Sequence, residues 1–204
     1  MKRPSLRVAR AAKWAALPVA VLTSGLIISI GSYSAFKSTT ANPGSAWNAG
    51  AVVLADDDSD TALFQVGQIA PGFTGSNCIS VSSTGTVPAE VRLYATNGTT
   101  TKSLSSYLDL TVTQGTGGGF GSCTGFAPLG SGSAVYAGTL AAFISGHADY
   151  ANGVLQGANA WQVTGSNPPE NRTYKITWTV NASTPNTVQG GTAGLDFTWE
   201  SQSL

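Results

Sequence analysis

The chain has 204 residues, 42% of them apolar and only 10% charged, with 25 glycines. That balance, with few Lys, Glu or Leu at helical spacing, favours strands and turns in a single domain over helices. From Phe36 onward five basic side chains stand against ten acids, a net of −5, so a phosphate backbone would be repelled and nucleic-acid binding is excluded.

At the N-terminus the charge pattern is reversed. Lys2, Arg3, Arg7, Arg10 and Lys13 crowd the first 13 positions, and no acid precedes Asp56. The uncharged, largely apolar run Trp14 to Ile30 follows, and then the mostly small residues Gly31 to Ala35. This layout predicts an N-terminal signal helix over residues 1–35, removed by a signal peptidase between Ala35 and Phe36. The competing reading is an uncleaved anchor, the chain's one route to a membrane, because about 17 apolar residues is near the lower limit for spanning. Pro18 and Gly25 within the run favour cleavage. The remaining 36–204 are expected to form one secreted, extracellular or cell-surface domain.

Beyond the export signal, period-two alternation marks strands. Weak candidates are Ala51 to Ala55, Ala62 to Val66, Cys78 to Ser82 and Ala134 to Thr139. Stronger ones place Val91, Leu93 and Ala95 on one face, and likewise Leu108, Leu110 and Val112. The clearest puts Tyr174, Ile176, Trp178 and Val180 opposite Thr173, Lys175, Thr177 and Thr179. The last opposes Leu195, Phe197 and Trp199 to Asp196, Thr198 and Glu200. Turn chemistry is expected to separate strands at Ala70-Pro71-Gly72, Asn97-Gly98, Gly117-Gly118-Gly119, Asn167-Pro168-Pro169 and Gly190-Gly191. Between Leu140 and Gly157 the helical spacing of Leu140, Phe143 and Ile144 predicts one or two helical turns. About eight short strands between such breaks predict an all-β, two-sheet antiparallel sandwich.

Export decides how the two cysteines are read. Outside the cytoplasm Cys78 and Cys123 are expected to form a disulfide, since a two-cysteine zinc site needs further ligands nearby. Closing a loop of about 45 residues would stabilise the fold by roughly 4 kcal/mol in the chain-entropy account.

No catalytic constellation emerges, and no cofactor is expected. The only histidine, His147, cannot hold a three-ligand zinc without converging carboxylates, so it reads as a loop residue with a polar contact. The serines near Gly121 to Gly125 and Gly130 to Ser133 lack the strand-turn-helix setting of a nucleophile elbow. Gly115 to Gly121 is not followed by the Lys-Ser/Thr of a phosphate loop. Asp56, Asp57, Asp58 and Asp60 lack the glycine and glutamate of an EF-hand and read as a solvated turn. Asn97-Gly98-Thr99, Asn171-Arg172-Thr173 and Asn181-Ala182-Ser183 match the glycosylation triplet, as expected by chance in a Ser/Thr-rich chain. Among the tryptophans, Trp178 and Trp199 fall on core faces, whereas Trp161, beside the turn-rich stretch near Ser166, is the candidate for an exposed sugar-stacking ring.

Four ordered segments resemble the TasA/camelysin family of secreted proteins. They are Gly31-Ser-Tyr-Ser-Ala-Phe-Lys-Ser-Thr-Thr40, Trp47-Asn-Ala-Gly-Ala-Val-Val-Leu54, Val66-Gly-Gln-Ile-Ala-Pro-Gly72 with Val81-Ser-Ser-Thr-Gly-Thr-Val-Pro88, and Asn186-Thr-Val-Gln-Gly-Gly-Thr-Ala193 running into Phe197-Thr-Trp-Glu200. The resemblance implies a jelly-roll sandwich, export through a SipW-type signal peptidase and, for some members, assembly into extracellular matrix fibres such as those of biofilms. Its partners would be copies of itself or related secreted subunits. The donor segment, the stretch freed by cleavage and added to a neighbour, would run from Phe36 to about Asn48, with Phe36, Lys37, Ser38, Thr39, Thr40 and Trp47 as its assembly residues. The chain departs from the family in its shorter, glycine-richer middle, its two cysteines, and Pro43, which shortens a continuous donor strand. The family name also carries a metallo-endopeptidase label. A carbohydrate- or ligand-binding surface module is the remaining alternative.

Overall fold

The computed structural model describes residues 51–130, 133–165 and 168–204. The signal segment, the Ala35–Phe36 cleavage point and the donor segment around Phe36 to Trp47 lie outside the described residues, as does the Ser166–Asn167 part of the expected proline-rich turn.

Nine strands build two antiparallel sheets: β1 (Leu54–Asp56), β2 (Thr74–Ser83), β3 (Ala89–Thr100), β4 (Leu108–Thr116), β5 (Ala127–Pro128), β6 (Ala134–Thr139), β7 (Trp161–Val163), β8 (Glu170–Val180) and β9 (Ala193–Ser203). The larger sheet runs β1-β2-β8-β4, with both β5 and β6 pairing β4; the smaller runs β7-β3-β9. This is the expected all-β two-sheet sandwich. One helix, α1 (Leu140–Gly146), occupies the stretch whose spacing predicted helical turns, and the Thr139 side chain caps it by accepting from Ala142 N–H at 3.1 Å.

The core follows the alternation. Ile79 and Val81 from β2, Val91, Leu93 and Ala95 from β3, Leu110 and Val112 from β4, and Tyr174 and Ile176 from β8 face one another between the sheets. Leu195, Phe197 and Trp199 of β9 pack against this cluster while remaining partly exposed. Phe143 of α1 is fully buried, with its ring 4.8 Å from Tyr136 and 5.9 Å from Phe197.

Several local expectations are corrected. Ala62 to Val66 is not a strand: its apolar side chains Leu63 and Phe64 pack against the core from an irregular segment, and the Leu63 carbonyl accepts from Asn77 Nδ2 at 2.8 Å. Ala51 to Ala55 pairs as a strand only from Leu54, although Thr84 N–H and Thr86 N–H still donate to the Val53 and Ala51 carbonyls. Asn97-Gly98 does not end a strand. It is a bulge inside β3, where the pairing with β9 shifts register between Thr96 and Thr99 and Asn97 takes φ 51°. A side chain on Gly98 would run into Ile144 of α1, so glycine lets the helix sit on the bulge.

The tryptophans change places. Trp161, the candidate for an exposed sugar-stacking ring, is 1% exposed and is the largest fully buried side chain among the described residues. It lies 6.2 Å from the Tyr174 ring, with the Arg172 guanidinium 5.3 Å from its centroid. Trp178 shares the inward face of β8 but stays outside the buried cluster; its indole lies across Gly75, where a Cβ would come within 2.7 Å of the ring. Trp178 is only part-buried.

Candidate functional site: the open edge and the latched edge

Two regions of the described part of the molecule bear on function. The first is the edge formed by β9. This strand has 11 residues and pairs on one side with β3, from Ala89↔Ser203 to Thr100↔Ala193. Among the described residues nothing pairs its other side. Beside it, between the two sheets, a groove of about 210 Å³ is lined by Leu54, Ala55, Asp56, Val81, Phe197, Thr198 and Trp199. Its lining mixes apolar side chains with Thr198 and Asp56, whose carboxyl burial and then Asp58 raise above the ordinary carboxylate value.

The outward face of the same sheet is polar and internally bonded. Tyr94 donates to Glu200 at 2.7 Å, Gln202 Nε2 donates to the other oxygen of Glu200, and Asn97 Nδ2 donates to Asp196 at 2.7 Å. Burial, then the Glu200 carboxylate, pushes Tyr94 up to about 12. Arg92 pairs with Glu90 at 2.8 Å and lies over the Tyr150 ring.

Among the described residues three buried polar atoms have no hydrogen-bond partner: Tyr174 OH, Trp199 Nε1 and Ser201 Oγ. Burial drives the Tyr174 hydroxyl far above its usual range; the charge of Arg172 opposes the shift, as does the nearby Trp199 indole, which approaches without the geometry of a hydrogen bond.

The second region is the adjoining edge of the larger sheet, where β1, which also lines the groove, covers β2 only over Val81–Ser83. Below that point side chains take over the pairing. Ser80 N–H donates to Asp57 Oδ1 at 2.8 Å, and Cys78 N–H is taken by Asn77 Oδ1 at 3.0 Å. The second oxygen of Asp57 accepts Phe120 N–H at 2.7 Å. Asp57, one member of the expected solvated turn, is therefore a clasp between β2 and the loop after β4. In the same turn Asp56 and Asp58 accept the backbone N–H groups of Asp58 and Asp60, at 3.4 and 2.8 Å. That loop carries Cys123, which forms the expected disulfide with Cys78, Cα–Cα 5.1 Å.

His147 ends α1. Its Nδ1 meets the Asn152 carbonyl at 2.6 Å, and its ring lies 5.4 Å from both Tyr136 and Phe143. Among the described residues no three His, Cys, Asp or Glu side chains converge as metal ligands, and no helix is long and apolar enough to cross a membrane. Of the glycosylation triplets, Asn97 and Asn181 are tied by hydrogen bonds to Asp196 and Asp109. The β9 edge and the Asp57 clasp were not legible in the sequence. Alternation marks a strand without saying which neighbours it finds, and one aspartate in a run of four looks like the others.

The disulfide is compatible with an extracellular location. No protein-family model matches the chain, and no curated protein matches it.

Proposed function

We propose that the chain is a secreted, non-enzymatic structural subunit of the TasA/camelysin kind, acting at the cell surface or in extracellular matrix. In this reading the export signal is removed between Ala35 and Phe36. The domain is a jelly roll, and it associates with copies of itself or related secreted subunits by adding a strand at the β9 edge. The observation that carries the reading is an 11-residue strand with one side unpaired among the described residues, lying beside a groove whose mixed lining includes Leu54, Phe197 and Trp199. Unpaired backbone N–H and C=O groups are a template for an incoming strand, and alternate side chains of that strand need a pocket on one face only.

The sequence from Phe36 to Asn48 has the matching chemistry. Period two puts Phe36 and Lys37 on opposite faces of an extended strand. An aromatic suits the groove lined by Leu54, Val81, Phe197 and Trp199, and a lysine suits the acidic outward face with Asp196 and Glu200. Pro43 would set the far limit of the pairing, because it has no N–H to give.

The test compares protein starting at Phe36 with protein starting at Gly50 by light scattering and electron microscopy. Concentration-dependent association is expected for the longer form alone. Equal monomer content in both would remove strand addition from consideration.

A further inference from the structure

From the loop after β4 we infer a redox-releasable cover, residues 117–126, folded over the outward face of the larger sheet and locked there by Cys78–Cys123. This inference does not depend on strand addition at β9.

Ile79 and Val81 point into the core, so Cys78 faces the other way, toward what would be solvent. Yet Cys78 is 0% exposed. On the same face Thr173 of β8, two residues from Cys78's partner Lys175, is 4% exposed. Gly115 of β4, paired with Thr173, has the Phe126 ring where a side chain would begin, 2.6 Å from an ideal Cβ. These outward positions are covered because the 117–126 loop lies on them.

Three ties hold the loop: the disulfide, the Phe120 N–H bond to Asp57 at 2.7 Å, and the Phe126 ring over Gly115. Gly119 brings the loop close against the clasp: an ideal Cβ there would lie 2.7 Å from Asp57 Oδ2. None of the ties belongs to the inter-sheet cluster, in which Cys78 has no part. Releasing the loop therefore leaves the β2–β8–β4 ladders and the core intact.

The two sulfurs are not equivalent. Cys123 is partly exposed whereas Cys78 is sealed beneath the loop. An external small-molecule thiolate attacks Cys123 Sγ, forming a mixed disulfide there and expelling Cys78 as a thiolate, which takes a proton from solvent. A second thiolate then attacks the external sulfur of the mixed disulfide, releasing the oxidised thiol dimer and the Cys123 thiolate. The protein disulfide is reduced by two electrons and two external thiols are oxidised.

The experiment is limited chymotrypsin digestion of the protein, oxidised or treated with glutathione and alkylated, read by peptide mass mapping beside far-ultraviolet circular dichroism. The reduced form is expected to be cut after Phe120 or Phe126 about tenfold faster or more, as for a segment released from local protection, with its β signal retained. Brief treatment with limiting glutathione is expected to place the mixed disulfide on Cys123. A Cys78→Ser, Cys123→Ser double variant made without any reductant should show the same cleavage pattern. Loss of the β signal on reduction, unchanged cleavage, or glutathione captured on Cys78 would each overturn the inference.

Discussion

The two edges of this sandwich solve one problem in opposite ways. Where β1 stops short, the lower half of β2 is blunted by side chains: Asp57 takes Ser80 N–H, Asn77 takes Cys78 N–H, and a disulfide clamps a loop across the adjoining face. At β9 nothing comparable is present among the described residues, and the strand is long and beside a groove of mixed apolar and polar lining. An open sheet edge invites association, and proteins usually obstruct it with charges, bulges or covering loops. The contrast marks the lower β2 edge as obstructed and the neighbouring β9 edge as the one left unpaired among the described residues.

The largest test of this contrast removes the lock on the closed side. Cys78→Ser with Cys123→Ser should cost about 4 kcal/mol, because the 45-residue separation gives the unfolded chain back its loop entropy. Calorimetry should show the melting temperature falling by roughly 8–16 °C for a domain of this size. A fall of only a degree or two would mean that the bridge barely constrains the unfolded chain.

Asp57→Ala keeps the bridge and removes the clasp. Two charge-assisted bonds at an exposed position should be worth about 1 kcal/mol together, since solvent competes for them. Chemical denaturation should show that loss, and hydrogen exchange should quicken at Ser80 and Phe120 specifically. Uniform exchange across β2 would instead mean that β1 alone protects this edge.

On the open side the sensitivity is to base. Tyr94 rises from 10.0 to about 12 because burial and Glu200 favour the protonated phenol in the folded state. A raised folded value contributes stability that is complete below the unfolded value near 10 and is lost as pH climbs from 10 toward 12. Tyr174, raised by burial, acts in the same direction. Tyr94→Phe should flatten the stability profile between pH 10 and 12 relative to the parent, measured by denaturation at each pH; an identical profile would show that the Tyr94–Glu200 bond plays no part.

The smallest effect is expected at Tyr174→Phe. A buried hydroxyl engaged in a hydrogen bond costs about 1–3 kcal/mol to disrupt, but Tyr174 OH has no partner to lose. Stability should change by less than about 1 kcal/mol, or rise slightly. A loss above that range would reveal a bond formed in solution.

Much of the fold could be read from local pattern. Tyr174, Ile176 and Val180 are buried as their spacing requires, and β3 and β4 follow the same rule. The misses share a cause. Asn97-Gly98 has the chemistry of a hairpin turn, but β9 continues past it, and a register shift absorbs the extra residue. Trp161 stands beside a turn-rich stretch yet is buried against Tyr174 of the facing sheet, while Trp178, on the inward face of β8, stays part-buried. Ala62 to Val66 is apolar enough for a strand but meets the core through side chains alone.

The sequence by itself determined the all-β class, the two faces of each main strand and the cysteine pair, because alternation and composition act over a few residues. Only the tertiary structure decided which strand stays an edge, which tryptophan lies inside, and that Asp57 rather than its neighbours holds a loop. Each of those depends on residues far apart in the chain, such as Asp57, Ser80 and Phe120, whose meeting is set by how the strands pair and the sheets stack.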